Sequence, residues 1–201
     1  IMGLSKYITK IFQNEWKGTQ DDDYNYKSLM QQRTIEYRKE KKSVVKVDRP
    51  TNLPSAKQVG YKAKQGVFVV RTRVRKGSGV FSRPKNKRRP KRQGQAKLTR
   101  RKSIRSISEE RASKKFENAE VLGSYKIAED GKSHYYEIVM ADREATRVGS
   151  DRKLVFLFKG QQGRAERGKT FAGRVNKEEN KKKNRKKRAK KKITVKNNSS
   201  K

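Results

Sequence analysis

No acidic side chain occurs between Asp48 and Glu109, although basic side chains are frequent throughout this stretch. A surface selected only for solubility mixes both signs of charge. A stretch of this length without a single carboxylate is therefore expected to lie against a polyanion whose phosphates supply the missing negative charge.

The strand pattern inside this stretch runs from Gly60 to Gly77. Side chains alternate across a strand with a period of two. Phe68, Val70, Thr72 and Val74 share one face, where a core is predicted, and the basic face carries Val67, Val69, Arg71, Arg73 and Arg75. Successive arginines would stand roughly 6.6 to 6.8 Å apart, a spacing that suits a polyanion. The alternative is a solvated strand face whose charges only keep an edge from aggregating.

The charge of the whole chain calls for a partner of opposite sign. Its 201 residues include 57 Lys and Arg against 20 Asp and Glu, which gives a formal net charge of +37. Self-repulsion of that size opposes a compact state unless counter-charge is supplied. Only 30% of the residues are hydrophobic, so we expect one modest core of roughly 100 residues. Basic segments around it would become ordered on the partner.

Several classes of function are excluded by what the sequence lacks. Without cysteine there is neither a disulfide nor a thiolate metal site, and an intracellular protein is the simplest interpretation. No apolar run approaches the ~20 residues that span a bilayer, so no membrane partner is expected. His134 is the only histidine, so no second histidine is available for a catalytic or metal site. The two acids of Glu109-Glu110, and those of Glu129-Asp130, are adjacent in sequence and point in different directions on a helix or strand, so neither pair converges on one site. The sequence predicts no catalytic residue, metal, cofactor or small-molecule substrate.

Hydrophobic periodicity predicts helices on both sides of the central strand. The first helix covers Leu4 to Trp16 and the second covers Tyr26 to Glu40. Val44 to Val47 is a short strand. A further helix begins either near Ser103 or, through a capping box, at Ser106.

A hairpin is predicted after that helix. Val121 to Ile127 and Tyr135 to Ala141 flank Asp130-Gly131, a dipeptide typical of tight hairpin turns. Tyr135 and Tyr136 belong to opposite rows of the second strand, and either row could pack in the core or stack on a base. Core packing is the preferred interpretation.

A proline-bearing arm follows the central strand. Pro84 and Pro90 favour extended backbone within residues 82–94, and no core can form from this sequence. We predict a flexible arm whose basic side chains bind phosphates, with a disordered linker as the alternative. Its basic residues are Arg83, Lys85, Lys87, Arg88, Arg89, Lys91 and Arg92.

Two later segments complete the pattern. The apolar run Leu154 to Phe158 predicts a strand or a segment that docks on a protein neighbour. Gly168-Lys169-Thr170 imitates the end of a nucleotide-binding loop, but Gly163 stands one position out of register, so no nucleotide site is predicted. Between Gly160 and Gly173 glycines allow close backbone approach. The charges there are Arg164, Arg167, Lys169 and Arg174.

Short motifs recur along the chain in a recognisable order. They are Arg49-Pro50-Thr51-x-Leu53, Gly60-Tyr61-Lys62-Ala63-Lys64-Gln65-Gly66 with Arg71-x-Arg73-Val74-Arg75, Glu109-Glu110-Arg111-Ala112, Val121-Leu122-x-Ser124-Tyr125, Glu129-Asp130-Gly131, Arg167-Gly168 and Ala172-Gly173-Arg174. In these motifs the chain resembles the archaeal and eukaryotic large-subunit ribosomal protein family L fifteen e. It departs from the family's usual Asn, Trp and Pro at Gly123, Lys126 and Arg143.

The resemblance implies an α+β fold, a small antiparallel sheet with packed helices plus long basic extensions. It also implies a non-enzymatic structural constituent of the large ribosomal subunit in the cytoplasm, which binds and stabilises folded large-subunit rRNA beside neighbouring ribosomal proteins and is not a homo-oligomer. The expected parts are N-terminal helices at 1–45, an α+β core at 44–142 with a basic extended arm at 77–101, an extended RNA-contacting segment at 143–176, and a lysine-rich disordered tail at 177–201.

Recognition of RNA is expected to depend mostly on shape, because phosphate contacts position a protein without reading sequence. A nonspecific nucleic-acid compaction or RNA-annealing protein is the alternative, and a membrane-surface protein is a third hypothesis. The candidate RNA-binding residues are Arg49, Lys62, Lys64, Arg71, Arg73, Arg75, Lys76, Arg83, Lys85, Lys87, Arg88, Arg89, Lys91, Arg92, Lys97, Arg100, Arg101, Arg164, Arg167, Lys169 and Arg174.

Overall fold

The structure is a computed structural model that describes residues 4–21, 24–79, 82–95, 99–158, 160, 162–182 and 184–185. Most of the tail predicted at 177–201 lies outside the described residues, and so does Lys97 of the predicted RNA-binding set.

Two antiparallel sheets are present in the described part of the chain. Their strands are β1 Gln20–Asp21, β2 Tyr24–Asn25, β3 Val44–Val47, β4 Val67–Arg75, β5 Ala119–Glu129 and β6 Ser133–Asp142. β1 pairs with β2, and the other four strands form the main sheet in the order β3-β4-β6-β5. β4 and β6 are therefore the inner strands, and their register sets Arg71 opposite Glu137.

The predicted hairpin is confirmed by β5 and β6. The Asp130 N–H donates to the Ser133 carbonyl at 2.8 Å and closes the turn. Tyr135 and Tyr136 are both buried, so the preferred interpretation of core packing holds for both rows of side chains.

Helices flank the main sheet. They are α1 Leu4–Lys17, α2 Tyr26–Lys39, α3 Leu53–Val59, α4 Ile104–Lys115, α5 Thr146–Gly149 and α6 at 171–182. The first two confirm the predicted helices. The Ser103 hydroxyl accepts a hydrogen bond from the Ser106 N–H at 3.2 Å, so α4 has the earlier of its two predicted starts.

α3 is a helix that periodicity did not reveal because it is only two turns long. The Asn52 side chain caps it by accepting from the Ser55 N–H at 3.0 Å. Gly60 ends it with a left-handed φ of 106°, a conformation that glycine adopts without strain.

Both faces of the main sheet are buried. On one face Tyr37 of α2 and Ala56 of α3 belong to the same cluster as Val139. On the other face Ala112 of α4 belongs to a second cluster with Ile138. The fold is therefore α+β as expected, with helices on either side of an antiparallel sheet.

The predicted division of β4 into a core face and a basic face is only partly observed. Val70 and Val74 are buried, as expected, but Val67 and Val69 on the arginine face are buried too. Helices cover that face as well, which alternation along one strand cannot show. The arginines are confined to the second half of β4.

Residues 143–176, expected to be extended, are folded where the structure describes them. They contain α5, a 3-10 helix at Val155–Phe158 and the start of α6. Leu154 and Leu157 are buried in the first core cluster. The apolar run is therefore a helical turn rather than a strand, and it packs on the core through Leu154 and Leu157, whereas Val155 and Phe158 are exposed.

Candidate nucleic-acid interface

Buried glutamates hold the connecting segments against the sheet. Glu137 is fully buried and accepts from Thr51, through the N–H at 3.0 Å and the hydroxyl at 2.5 Å. The Tyr125 hydroxyl donates to the same carboxylate at 2.5 Å, and burial raises the pKa of that phenol. This network fixes the turn that contains Arg49, whose own side chain is exposed.

Glu120 holds the glycine-arginine segment, defined as residues 160–174. Its carboxylate accepts from the N–H of Gly163 at 2.8 Å and from the N–H of Arg164 at 3.1 Å. Two backbone donors of a loop thereby share one buried acceptor.

Glu109 holds the start of α6. It accepts from the Thr170 hydroxyl at 2.6 Å and from the Ser124 hydroxyl at 2.5 Å. Burial raises the pKa of Glu109, although both hydrogen bonds favour its charged form. The Thr170 hydroxyl also accepts from the Gly173 N–H at 3.2 Å, so this threonine caps α6.

Two lysines of the predicted RNA-binding set form an internal clamp with Asp151. Lys62 lies 2.5 Å from the Asp151 carboxylate, and Lys64 donates to the same oxygen atom. Hydrogen bonds from the two ammonium groups hold the pKa of Asp151 well below its ordinary value. The clamp ties the loop before β4 to the segment after α5, so these lysines have a structural partner within the chain.

Two more side chains of the predicted RNA-binding set also have carboxylate partners. Arg71 pairs with Glu40 and lies 4.2 Å from the centroid of the Tyr37 ring. Lys76 lies 3.6 Å from Glu129. These carboxylates lie outside the acid-free stretch, and they pair with only some of its cations.

The predicted extended arm is a closed loop where the structure describes it. In this basic loop, residues 82–95, the Gln93 side chain donates to the Arg88 carbonyl at 2.9 Å. The Gln95 side chain donates to the Ser82 carbonyl at 2.8 Å and joins the two ends. A 3-10 helix lies inside the loop. Proline has no N–H group to donate, and the two glutamine side chains supply hydrogen-bond donors instead. These bonds close the loop, so its backbone is not extended as expected.

Five exposed cations of the basic loop surround a concavity of about 900 Å³. None of them forms an ion pair with a carboxylate in the described ranges. Like charges held around one space repel each other, so a polyanion that enters it is attracted strongly. The lining residues are Lys87, Arg88, Arg89, Lys91 and Arg92.

A second group of cations, the β4-end cluster, lies at the C-terminal end of β4. The Arg100 guanidinium donates to the Arg75 carbonyl at 3.0 Å. The Arg111 guanidinium donates to the Arg73 carbonyl at 3.3 Å, and Arg73 itself donates to the Arg38 carbonyl at 3.3 Å. The β4-end cluster therefore brings together arginines of α2, of β4, of the segment before α4 and of α4, namely Arg38, Arg73, Arg75, Arg100 and Arg111.

Sequence reasoning missed Arg38 and Arg111 as members of this cluster. Both lie on predicted helices, where their spacing gave no reason to separate them from other surface charges. The position of Arg111 inside the Glu-Glu-Arg-Ala motif was the only available signal. Arg101, which was predicted, is exposed beside Arg100 in sequence.

Within the glycine-arginine segment the predicted cations divide into two kinds. Arg164 is half-buried, donates to the Val121 carbonyl at 3.4 Å and lies 4.9 Å from the Phe156 ring centroid. Burial lowers the pKa of Arg164. This arginine packs against the core, whereas the exposed cations are Arg167, Lys169 and Arg174.

Two motif glycines allow α6 to approach the preceding turn. A Cβ atom on Gly173 would lie 2.5 Å from the Cα of Gly168, a distance that real side chains do not reach. Ala172 is buried beside this contact. The close approach fixes the first turn of α6 and directs Arg174 outward.

The described residues contain no group of three or more His, Cys, Asp or Glu side chains placed to hold a metal ion. His134 lies 3.1 Å from Glu129, and burial lowers the pKa of the histidine. In the same described ranges, no helix combines the length and apolar character needed to cross a bilayer.

The sequence matches the family described as Ribosomal L15 over residues 4–198. It is 48% identical over 147 residues to the large ribosomal subunit protein eL15 of Methanocella arvoryzae, covering 73% of this chain and 74% of the relative. It is 40% and 41% identical over 171 residues to the proteins of the same name from Methanocorpusculum labreanum and Methanospirillum hungatei, covering 85% of this chain and 86% of each relative.

Proposed function

The chain belongs to the Ribosomal L15 family, and from that premise we propose that it binds and stabilises folded large-subunit rRNA. As a member of that family it is a structural constituent of the large subunit of the cytoplasmic ribosome. Its partners in this role are rRNA and neighbouring ribosomal proteins, and it acts as a single copy without catalysis.

The observation that carries the proposal is the unequal placement of the two signs of charge. Glu109, Glu120 and Glu137 are buried as acceptors for loops, and further carboxylates form ion pairs within the fold. The cations of the basic loop lie exposed around one concavity. Folding therefore concentrates the excess positive charge on the surface, where phosphates can approach it.

Three surfaces supply the proposed contacts. They are the concavity of the basic loop, the β4-end cluster and the exposed cations of the glycine-arginine segment. Each is held by hydrogen bonds to backbone carbonyls or to buried carboxylates, so little backbone conformational entropy is lost when RNA binds. Such contacts read the path of the phosphate backbone, and folded RNA offers a more specific path than random duplex does.

The basic loop provides the direct test. A protein with Lys87→Gln and Lys91→Gln should bind a folded large-subunit rRNA fragment more weakly than the unmodified protein. Its plot of log affinity against log salt should be shallower by about 2, because each lost phosphate contact reduces the slope by about 1. Binding is measured at several salt concentrations.

The matched control carries Lys6→Gln and Lys10→Gln, which remove the same charge from exposed positions on α1. Its salt dependence should stay close to that of the unmodified protein. Equal losses in the two variants would show that net charge alone is responsible and would reject the basic loop as a contact surface.

A second comparison separates this function from nonspecific compaction or annealing. The unmodified protein should prefer the folded rRNA fragment over random duplex DNA of the same length at matched salt. Equal affinity for both would contradict the proposal, because a factor that acts through charge alone does not discriminate between them.

A further inference from the structure

An exposed aromatic ring stands on the first turn of α6. Phe171 is 59% exposed, more than Trp16 at 53%. The Arg105 guanidinium carbon lies 5.5 Å from the ring centroid. Large exposed rings in a basic setting are typical of binding surfaces, since a solvated aromatic side chain contributes little to the fold itself.

The neighbours of the ring are anchored to the core. Arg105 donates to the Ser124 hydroxyl at 2.9 Å and also to the Ser124 carbonyl. Thr170, directly before the ring, is anchored to the buried Glu109 carboxylate at 2.6 Å. The backbone that carries Phe171 and the guanidinium over its ring are therefore both anchored to the core, so a ligand does not have to order this part of the chain.

Exposed cations flank this ring along the chain. Lys169 precedes it, and Arg174 lies one helical turn further on the same side of α6. The Asn180 side chain donates to the Arg101 carbonyl at 3.4 Å, so α6 runs along the residues that lead into α4.

The charge of the setting identifies the occupant. An apolar protein segment would have to desolvate Lys169 and Arg174 without compensation, which is unfavourable. A nucleotide presents a flat π-face to the ring and phosphates to the cations, so it satisfies both features at once. Glu178, two turns along α6, limits the favourable region to the first turn.

We propose that Phe171 is a stacking platform for an unpaired RNA base, with Lys169 and Arg174 contacting the flanking phosphates. Arg105 supports the ring from the protein side by a cation–π contact. This inference rests on the proposed function and adds to it the class of nucleotide that this site takes, namely an unstacked base in a loop, bulge or single strand.

Two five-nucleotide RNA probes test the platform with the full chain. One is oligoadenylate, and the other carries an abasic residue at every position but has the same number of phosphates. The unmodified protein should bind oligoadenylate on the order of 10-fold more tightly, within the roughly 5- to 150-fold that one aromatic stack contributes. Fluorescence anisotropy of end-labelled probes measures both affinities.

Substitutions at Phe171 assign the preference to this ring. Phe171→Ala should bring the two probes to near-equal affinity while leaving the salt dependence unchanged, because no charge is removed. Phe171→Trp in a Trp16→Phe background should keep the preference, and oligoadenylate should quench its fluorescence. Tyr7→Ala is the control, since that ring is 52% exposed and no cation lies over it in the described part of the chain.

Phe171→Leu guards against a loss of structure, because it keeps an apolar side chain and removes only the aromatic face. It should unfold at the temperature of the unmodified protein and yet lose the base preference. Equal binding of both probes by the unmodified protein, or a preference that survives Phe171→Ala, would overturn the platform. A retained preference for folded rRNA over duplex DNA would then show that the proposed function stands without it.

Discussion

Replacing Glu120 by glutamine should undock the glycine-arginine segment, because glutamine cannot reproduce the two hydrogen bonds of the carboxylate. Both carboxylate oxygens accept from backbone N–H groups, at 2.8 Å from Gly163 and at 3.1 Å from Arg164. In Glu120→Gln the side chain keeps its volume, but its NH₂ group must face one of these donors. One N–H group then has no acceptor.

The expected loss of stability has two sources. A buried donor without a partner costs about 1–3 kcal/mol, and the surviving hydrogen bond loses its charge assistance. Because Gly163 and Arg164 are only partly buried, water recovers some of this loss, and we expect a total of roughly 1–3 kcal/mol. For a chain of this size that corresponds to a fall in melting temperature of roughly 2 to 12 °C.

Thermal unfolding and amide hydrogen exchange measure the effect at two levels. The melting temperature reports the global loss, and exchange at Gly163 and Arg164 should accelerate on the order of 10-fold or more as the segment opens locally. Glu117→Gln is the matched control, since Glu117 is exposed and its replacement should change stability by no more than about 0.5 kcal/mol.

Two results would refute the reasoning. The first is a melting temperature for Glu120→Gln equal to that of Glu117→Gln, which would mean that the buried carboxylate carries no net stabilisation. The second is unchanged exchange at Gly163 and Arg164, which would mean that other contacts hold the segment.

The remaining predictions concern the clamp and the start of α6. Asp151→Asn should lower stability at neutral pH, and its difference from the unmodified protein should shrink as pH falls below 3.8, the ordinary pKa of this carboxyl. The folded state lowers the pKa of Asp151, so the carboxylate stabilises the fold above pH 3.8 and this stabilisation disappears once the folded carboxyl is protonated. A stability difference between the two proteins that does not change with pH in acid melts would contradict this prediction. Gly173→Ala places a Cβ 2.5 Å from the Gly168 Cα and should cost about 1–3 kcal/mol through overpacking. Gly94→Ala adds a carbon with no atom of the described residues within 4 Å apart from its chain neighbours, so its midpoint in a urea titration should stay near that of the unmodified protein. Equal urea midpoints for the two alanine variants would count against the close contact.

These predictions share one physical basis, namely that the acidic side chains stabilise contacts within the fold while many basic side chains remain exposed. Asp151 closes the clamp, and Glu120 docks a loop on the sheet. Neither carboxylate is available to repel phosphate from the surface. Loss of either one should therefore act on stability first and on RNA binding only through the position of the segment that it holds.

Local patterns in the sequence determined much of the fold. The existence of β4, the Asp130-Gly131 turn and the two candidate starts of α4 each depend on neighbours within a few residues, so they could be predicted without the rest of the chain. Composition likewise predicted a partner of opposite charge, because net charge does not depend on conformation. The motifs predicted the family, which the comparisons confirm.

The tertiary structure alone decided which cations are free. Lys62 and Lys64 find Asp151 at separations of 89 and 87 residues, and Arg71 finds Glu40 at a separation of 31. No periodicity or motif encodes such pairs, because they form only when distant segments pack on the same side of the sheet. Alternation could show that Arg71 and Arg73 share a face of β4, but only packing showed that a glutamate meets the first and a backbone carbonyl the second.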